Sequence, residues 1–194
     1  MVVLIAGLLI FLGGHSVRIF AEGWRTGAIA RLGPMRWKGL YSLVSLVGFV
    51  LIVWGYGLAR QEPVVLWPAA PAAVRHISAL LTLIAFVLLA ASQLPNNQIR
   101  GRLRHPMLLG VKIWAFAHLI ANNTLADLVL FGAFLAWAAL DFRAARQRDR
   151  REGTVYPAGT LTGTLIALVA GLAAWAAFAF GLHAMLIGVD PLAV

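Results

Sequence analysis

The sequence predicts an all-α fold: a polytopic bundle of six transmembrane helices with both termini outside the cytoplasm. Three observations predict it. Hydrophobic residues make up 61% of the 194-residue chain and charged residues only 12%, far less charge than a water-soluble surface of this size carries. Apolar runs long enough to cross a hydrocarbon core recur from end to end. The basic residues collect in alternate loops between those runs. One integral membrane domain covering 1–194 accounts for a chain of this length.

The spans read in order as Val2–Ile19, Leu40–Ala59, Ile77–Leu94, Met107–Ala121, Leu125–Leu140 and Leu161–Gly188. A crossing needs roughly 20 apolar residues, at about 1.5 Å of rise each. The runs are too long and too uniformly apolar for barrel strands. The first has no basic residues before it and continues into His15 and Arg18, which marks a retained helix and not a cleaved signal. The second carries Ser42, Ser45, Gly48 and Gly55, small residues suited to close helix packing. The fourth opens at His105-Pro106, with Pro in the first turn. The fourth and fifth are short and meet at Asn122-Asn123-Thr124, a tight hairpin. The sixth is long, begins near Pro157 at the interface, and sets Gly159, Gly163, Ala167 and Gly171 on one face at a spacing of four.

The loops give orientation. The first holds Arg18, Arg25, Arg31, Arg36 and Lys38; the third Arg100, Arg102 and Arg104; the fifth Arg143, Arg146, Arg148, Arg150 and Arg151. Thirteen of the 16 basic residues therefore fall on one side, against Arg60 and Arg75 on the other, with Lys112 inside the fourth span. The positive-inside rule puts that side in the cytoplasm. A net charge of +9 would suggest nucleic acid for a soluble protein. Here it orients the chain in the bilayer, and no nucleic-acid partner is expected. The absence of Cys excludes disulfides, thiolate metal sites and covalently attached haem.

Ionisable groups within a membrane are costly and mark function or partnership. His15 lies about two-thirds of the way along the first span. His118 lies 13 residues beyond His105, about 20 Å up the axis and roughly 220° around it, so the two cannot share one ion on a regular helix. His76 and His183 lie toward the outer face, and His183 has no clear role from its position. That leaves His15 and His118, one on each of two helices. Two such imidazoles can hold a b-type haem, one on each face of the iron. Gly13-Gly14 leaves room for a flat ring. Trp114 lies one turn before His118, where it can rest against a porphyrin. Asn122 lies one turn after, where it can orient the imidazole. Arg18, Arg36 and Lys38 are candidates for the propionates. By simple counting His15 lies about 9 Å and His118 about 20 Å from the inner face, a gap that helix tilt has to close. The competing reading is that each His only bonds a neighbouring helix, worth about 1 kcal/mol. Lys112 either snorkels or pairs with an acid on another helix. No HExxH or carboxylate–histidine set suggests zinc.

Several stretches resemble one family: Gly14-His15-Ser16, Trp37-Lys38-Gly39-Leu40-Tyr41-Ser42-Leu43-Val44-Ser45, His105-Pro106, and Trp114-Ala115-Phe116-Ala117-His118-Leu119 with Ala121-Asn122. In this order they resemble the NnrU family, over the first five helices. That family takes in bacterial membrane proteins associated with denitrification and the plant 15-cis-zeta-carotene isomerases. The resemblance implies a multi-pass protein of the bacterial inner membrane. It implies haem b on His15 and His118, and a cis-to-trans isomerisation of a hydrophobic polyene. The plant enzymes carry a Cys one turn before the second His, proposed to exchange as a ligand; this chain has Ala115 there.

Three functions follow: a haem-dependent isomerase or redox protein, a non-catalytic accessory protein for nitric- and nitrous-oxide reductases, and a small transporter. The transporter is the weakest, because no inverted repeat or paired broken helix is present. The loop pattern makes a direct prediction. Reporter fusions after Arg150 and at the C-terminus should report opposite sides of the membrane. Finding both on the same side would exclude the six-span arrangement.

Overall fold

The computed structural model describes residues 1–192, and among them the regular structure is helical. The helices are α1 (Val2–Phe20), α2 (Glu22–Leu32), α3 (Pro34–Ala59), α4 (Ala72–Gln93), α5 (Gln98–Leu103), α6 (Pro106–Ala121), α7 (Leu125–Glu152), α8 (Leu161–Ala177) and α9 (His183–Ile187). A π-helical turn, Phe178–Leu182, joins the last two. Five segments are long and apolar enough to cross a membrane: α1, α3, α4, α7 and the continuous Leu161–Ile187. The apolar α6, with 16 residues, is shorter. The chain is a multi-pass membrane protein by this measure.

The helices pack as a row, α3–α1–α7–α6–α4–α8. Small residues set the closest approaches. A Cβ on Gly48 would meet the Phe11 backbone N at 2.7 Å, and one on Gly7 would meet the Ile52 backbone N at 2.6 Å. Gly55 sits equally close to the Val3–Leu4 backbone. These contacts pull α1 and α3 together, as the second-span glycines suggest; Ser42 is exposed and takes no part. At the other end of the row, a Cβ on Gly171 would meet Val87 Cα at 2.5 Å, and Ala167 is fully buried. The small-residue face of α8 therefore packs on α4.

Two loops expected between spans contain helices, α2 and α5, and the fifth span does not stop at Leu140. Its helix runs on through the charged stretch to Glu152. Nothing in Asp141–Glu152 breaks a helix, and Gly153, at φ +62°, ends it in the left-handed region. Thr124 and Asp127 start α7 with a capping box: the Thr124 hydroxyl accepts from the Asp127 N–H, and the Asp127 carboxylate accepts from the Thr124 N–H. The buried Asp127 also accepts from Tyr56 Oη at 2.6 Å, tying α7 to α3.

The three basic loops gather at one end of the bundle, where Arg18, Arg100, Arg104 and Arg148 line a shared cavity. His105 Nε2 lies 2.8 Å from Asp149 Oδ2, and Tyr156 Oη donates to Asp149 Oδ1 at 3.0 Å, joining the start of α6 to the end of α7. At the opposite end, Val65 pairs with Thr124, and Leu66 N–H donates to the Asn123 carbonyl.

Two consequences are measurable. Gly55→Val places a branched side chain against the α1 backbone, and overpacking of this kind costs about 1–3 kcal/mol. The thermal midpoint in detergent should fall clearly below that of Gly57→Val, whose site is open. The second concerns acid. Burial pushes the Asp149 carboxyl up, but the bonds from His105 and Tyr156 and the nearby positive charge outweigh it and hold the group below its ordinary value. The stabilisation is therefore complete above the usual carboxylate value near ~4 and is lost as pH falls through the lowered one. Asp149→Asn should lower the midpoint at pH 7 and flatten its decline below about pH 4.

Candidate functional site

Each intramembrane histidine solves the same problem. Its ring must leave water without leaving a proton unpartnered. His15 Nδ1–H donates to the Phe11 carbonyl at 2.7 Å, and His118 Nδ1–H to the Trp114 carbonyl at 2.8 Å, each one turn back on its own helix. A carbonyl can only accept, so the bond fixes the proton on Nδ1. In the neutral ring that leaves Nε2 with a lone pair, the state in which imidazole ligates metal or accepts a hydrogen bond.

The structure divides the expected site residues between two cavities. His15 lines one of about 420 Å³, with Arg18, Arg25, Lys38, Tyr41, Met107, Trp137, Asp141 and Arg148. His118 lines another of about 230 Å³, with Trp114, Phe86, Trp175, Phe178 and His183. The two rings pack on α7 residues six apart: His15 edge-on to Trp137 at 5.9 Å, His118 stacked on Phe131 at 4.5 Å. Six residues rise about 9 Å. His15 and His118 therefore line separate cavities, at different levels along α7.

The remaining expectations sort in the same way. Arg18 and Lys38 do join His15, whereas Arg36 is exposed and lies outside that cavity. Gly14 lines it too, and a Cβ there would meet only Val44 Cγ1, at 3.7 Å. Trp114 stays with His118, ring centroids 5.1 Å apart. Asn122 does not orient that ring. Its Nδ2 donates to the His118 backbone carbonyl at 2.8 Å, capping the helix, and the Trp114 carbonyl holds the imidazole instead. Among the described residues Lys112 pairs with no acid; its Nζ lies 5.1 Å from the centre of the Phe142 ring.

The sequence reading passed over Arg25, Arg148, Met107 and Trp137 as partners of His15. The first two follow from α2 and from the extension of α7, neither of which hydropathy reveals. Trp137 Nε1 is buried without a hydrogen-bond partner. Among the described residues, Lys38 makes no ion pair, whereas Arg18 and Arg25 share Glu22 and Arg148 pairs with Asp141. His183 was also missed as the neighbour of His118.

Between the cavities runs a series of ring contacts: His15 to Phe11 at 4.3 Å, Phe11 to Phe134 at 5.9 Å, Phe134 to Trp114 at 5.6 Å, and Trp114 to His118. No group of three or more His, Cys, Asp or Glu able to hold a metal ion occurs among the described residues.

Comparison with known proteins gives one family. A family model described as NnrU protein matches residues 3–191. No curated protein and no solved structure matches the chain.

Proposed function

Because the chain belongs to the NnrU family, we propose that it is a haem-b protein of the bacterial inner membrane, with six spans and both termini outside the cytoplasm. The haem site is the cavity around His15. The observation that carries this reading is the donor set of that one cavity: a histidine with its Nε2 lone pair available, cations beside it, and an unpartnered indole N–H. Haem asks for those features together: a neutral nitrogen for iron and positive charge for two carboxylates. His15 would hold the iron. Lys38, Arg18, Arg25 and Arg148 would meet the propionates, and Trp137 Nε1–H supplies a further donor. Met107, the soft donor in the same cavity, would be the second residue to hold the iron.

A bound haem supplies a one-electron redox centre. The residues around it supply position and charge. The unpaired Lys38 and the aromatic walls of Tyr41, Trp37 and Trp137 favour an anionic, flat group over a small ion. Ala115 is fully buried, and its methyl cannot ligate iron. That favours a redox or accessory part in nitric- and nitrous-oxide reduction over polyene isomerisation by ligand exchange.

The test is spectroscopic. The unmodified protein, purified in detergent from haem-sufficient cells, should be red with a b-type reduced spectrum. His15→Ala should lose haem or its axial signature. His118→Ala should keep both, and Met107→Leu should keep the haem while shifting its spin state. Loss of haem in His118→Ala with retention in His15→Ala would reverse the assignment. A colourless unmodified protein would remove it.

A further inference from the structure

The cavity between α4, α6 and the end of α8 plays no part in that reading, yet it holds two histidines. His118 has its Nδ1–H committed to the Trp114 carbonyl, and His183 donates Nδ1–H to the Val189 carbonyl at 2.7 Å. Both rings line the cavity. In the neutral imidazole each bond leaves Nε2 as an acceptor.

His183 reaches the cavity through a local irregularity. On a regular α-helix it would lie about 140° around the axis from Phe178. In the π-turn the His183 N–H instead bonds the Phe178 carbonyl five residues back, which winds those residues through little more than one turn. The two rings then lie 6.0 Å apart, on the same cavity wall. A π-turn is a costly departure from the regular ladder and recurs at functional positions.

The rest of the lining narrows the ligand. Among the described residues no Lys, Arg, Asp or Glu lines this cavity, so a charged group finds no counter-ion. That excludes haem carboxylates here. Among the described residues no third His, Asp or Glu joins the two histidines to complete a protein-only metal site. The hydroxyls are already used: Ser78 donates to the Val74 carbonyl, and Thr82 donates to Ala79 and accepts from Trp175 Nε1. A plain hydrocarbon would leave both imidazole acceptors unpaired. Next in sequence to lining residues, Ile77, Leu80 and Phe180 are apolar and exposed, which suits a lipid tail.

We propose that this cavity binds a lipid-soluble hydroquinone. Its two hydroxyls donate to Nε2 of His118 and His183, and its ring lies among Trp114, Trp175 and Phe178. The aromatic walls match the ring face. The acceptor pair selects the reduced form, since an oxidised quinone brings only acceptors.

The experiment is anaerobic titration of the full detergent-purified chain with a decyl-tailed benzohydroquinone, read by tryptophan quenching. Its oxidised form and its dimethyl ether, which has no O–H, are the comparison ligands. The hydroquinone should bind at least tenfold more tightly than either. His118→Ala and His183→Ala should each weaken it by tenfold or more, while His76→Ala leaves it unchanged. Equal affinity for the hydroquinone and its dimethyl ether on the unmodified chain overturns the proposal, independently of how any variant folds. So does unchanged binding in both cavity-histidine variants, or loss of haem in His183→Ala.

Discussion

Hydrocarbon offers no hydrogen bonds, and that constraint governs both sites. A histidine side chain brings one N–H and one lone pair into a region where neither can be left to water. At His15 and His118 the chain satisfies the proton with the carbonyl one turn back. The bond costs the helix nothing, because a carbonyl has a second lone pair. It also decides the chemistry of the ring. With the proton held on Nδ1, each imidazole presents a fixed acceptor nitrogen, and what each can bind then depends on what surrounds it. Cations surround His15; aromatic rings surround His118.

Backbone closeness is the second consequence of the same environment. Lipid chains are as apolar as the helix surfaces, so helices associate through packing and not through escape from water. Gly7, Gly48 and Gly55 let α1 and α3 meet at backbone distance, and Gly171 does the same for α8 on α4. Those two tight pairs stand at the ends of the row. Between them α7 and α6 pack through larger side chains, and there the ring series from Phe11 to Trp114 forms.

What the sequence made legible was what repeats or alternates. Apolar run length located the spans, alternation of arginine identified the loops that share an end, and a spacing of four in α8 marked a packing face. The Pro106 start of α6 was legible from proline chemistry. The grouping of His15 with Arg18 and Lys38 could be read from their common depth at the end of the first span and in the loop after it. The separation of His15 from His118 was foreshadowed by counting residues from the membrane face. Lateral order is a different matter. Nothing in hydropathy says that α7 stands between α1 and α6. The extension of α7 to Glu152 was hidden because charged residues are good helix formers outside the bilayer as well as loop residues. The π-turn was hidden because it depends on a single extra residue within a uniformly apolar run.

At 16 residues, α6 rises only about 24 Å, against the roughly 30 Å of a typical hydrocarbon core. It is also flanked in the row by α4 and α7, so lipid need not thin along its whole circumference to meet it. Just past its C-terminal end, Asn123 donates to the Trp67 carbonyl and Val65 pairs strand-like with Thr124. Met107 stands at one end of this short helix and His118 near the other. The basic residues stand beside the His15 cavity and the His118–His183 cavity lies toward the other end of α6, so molecules bound in the two would enter from different ends of the bundle.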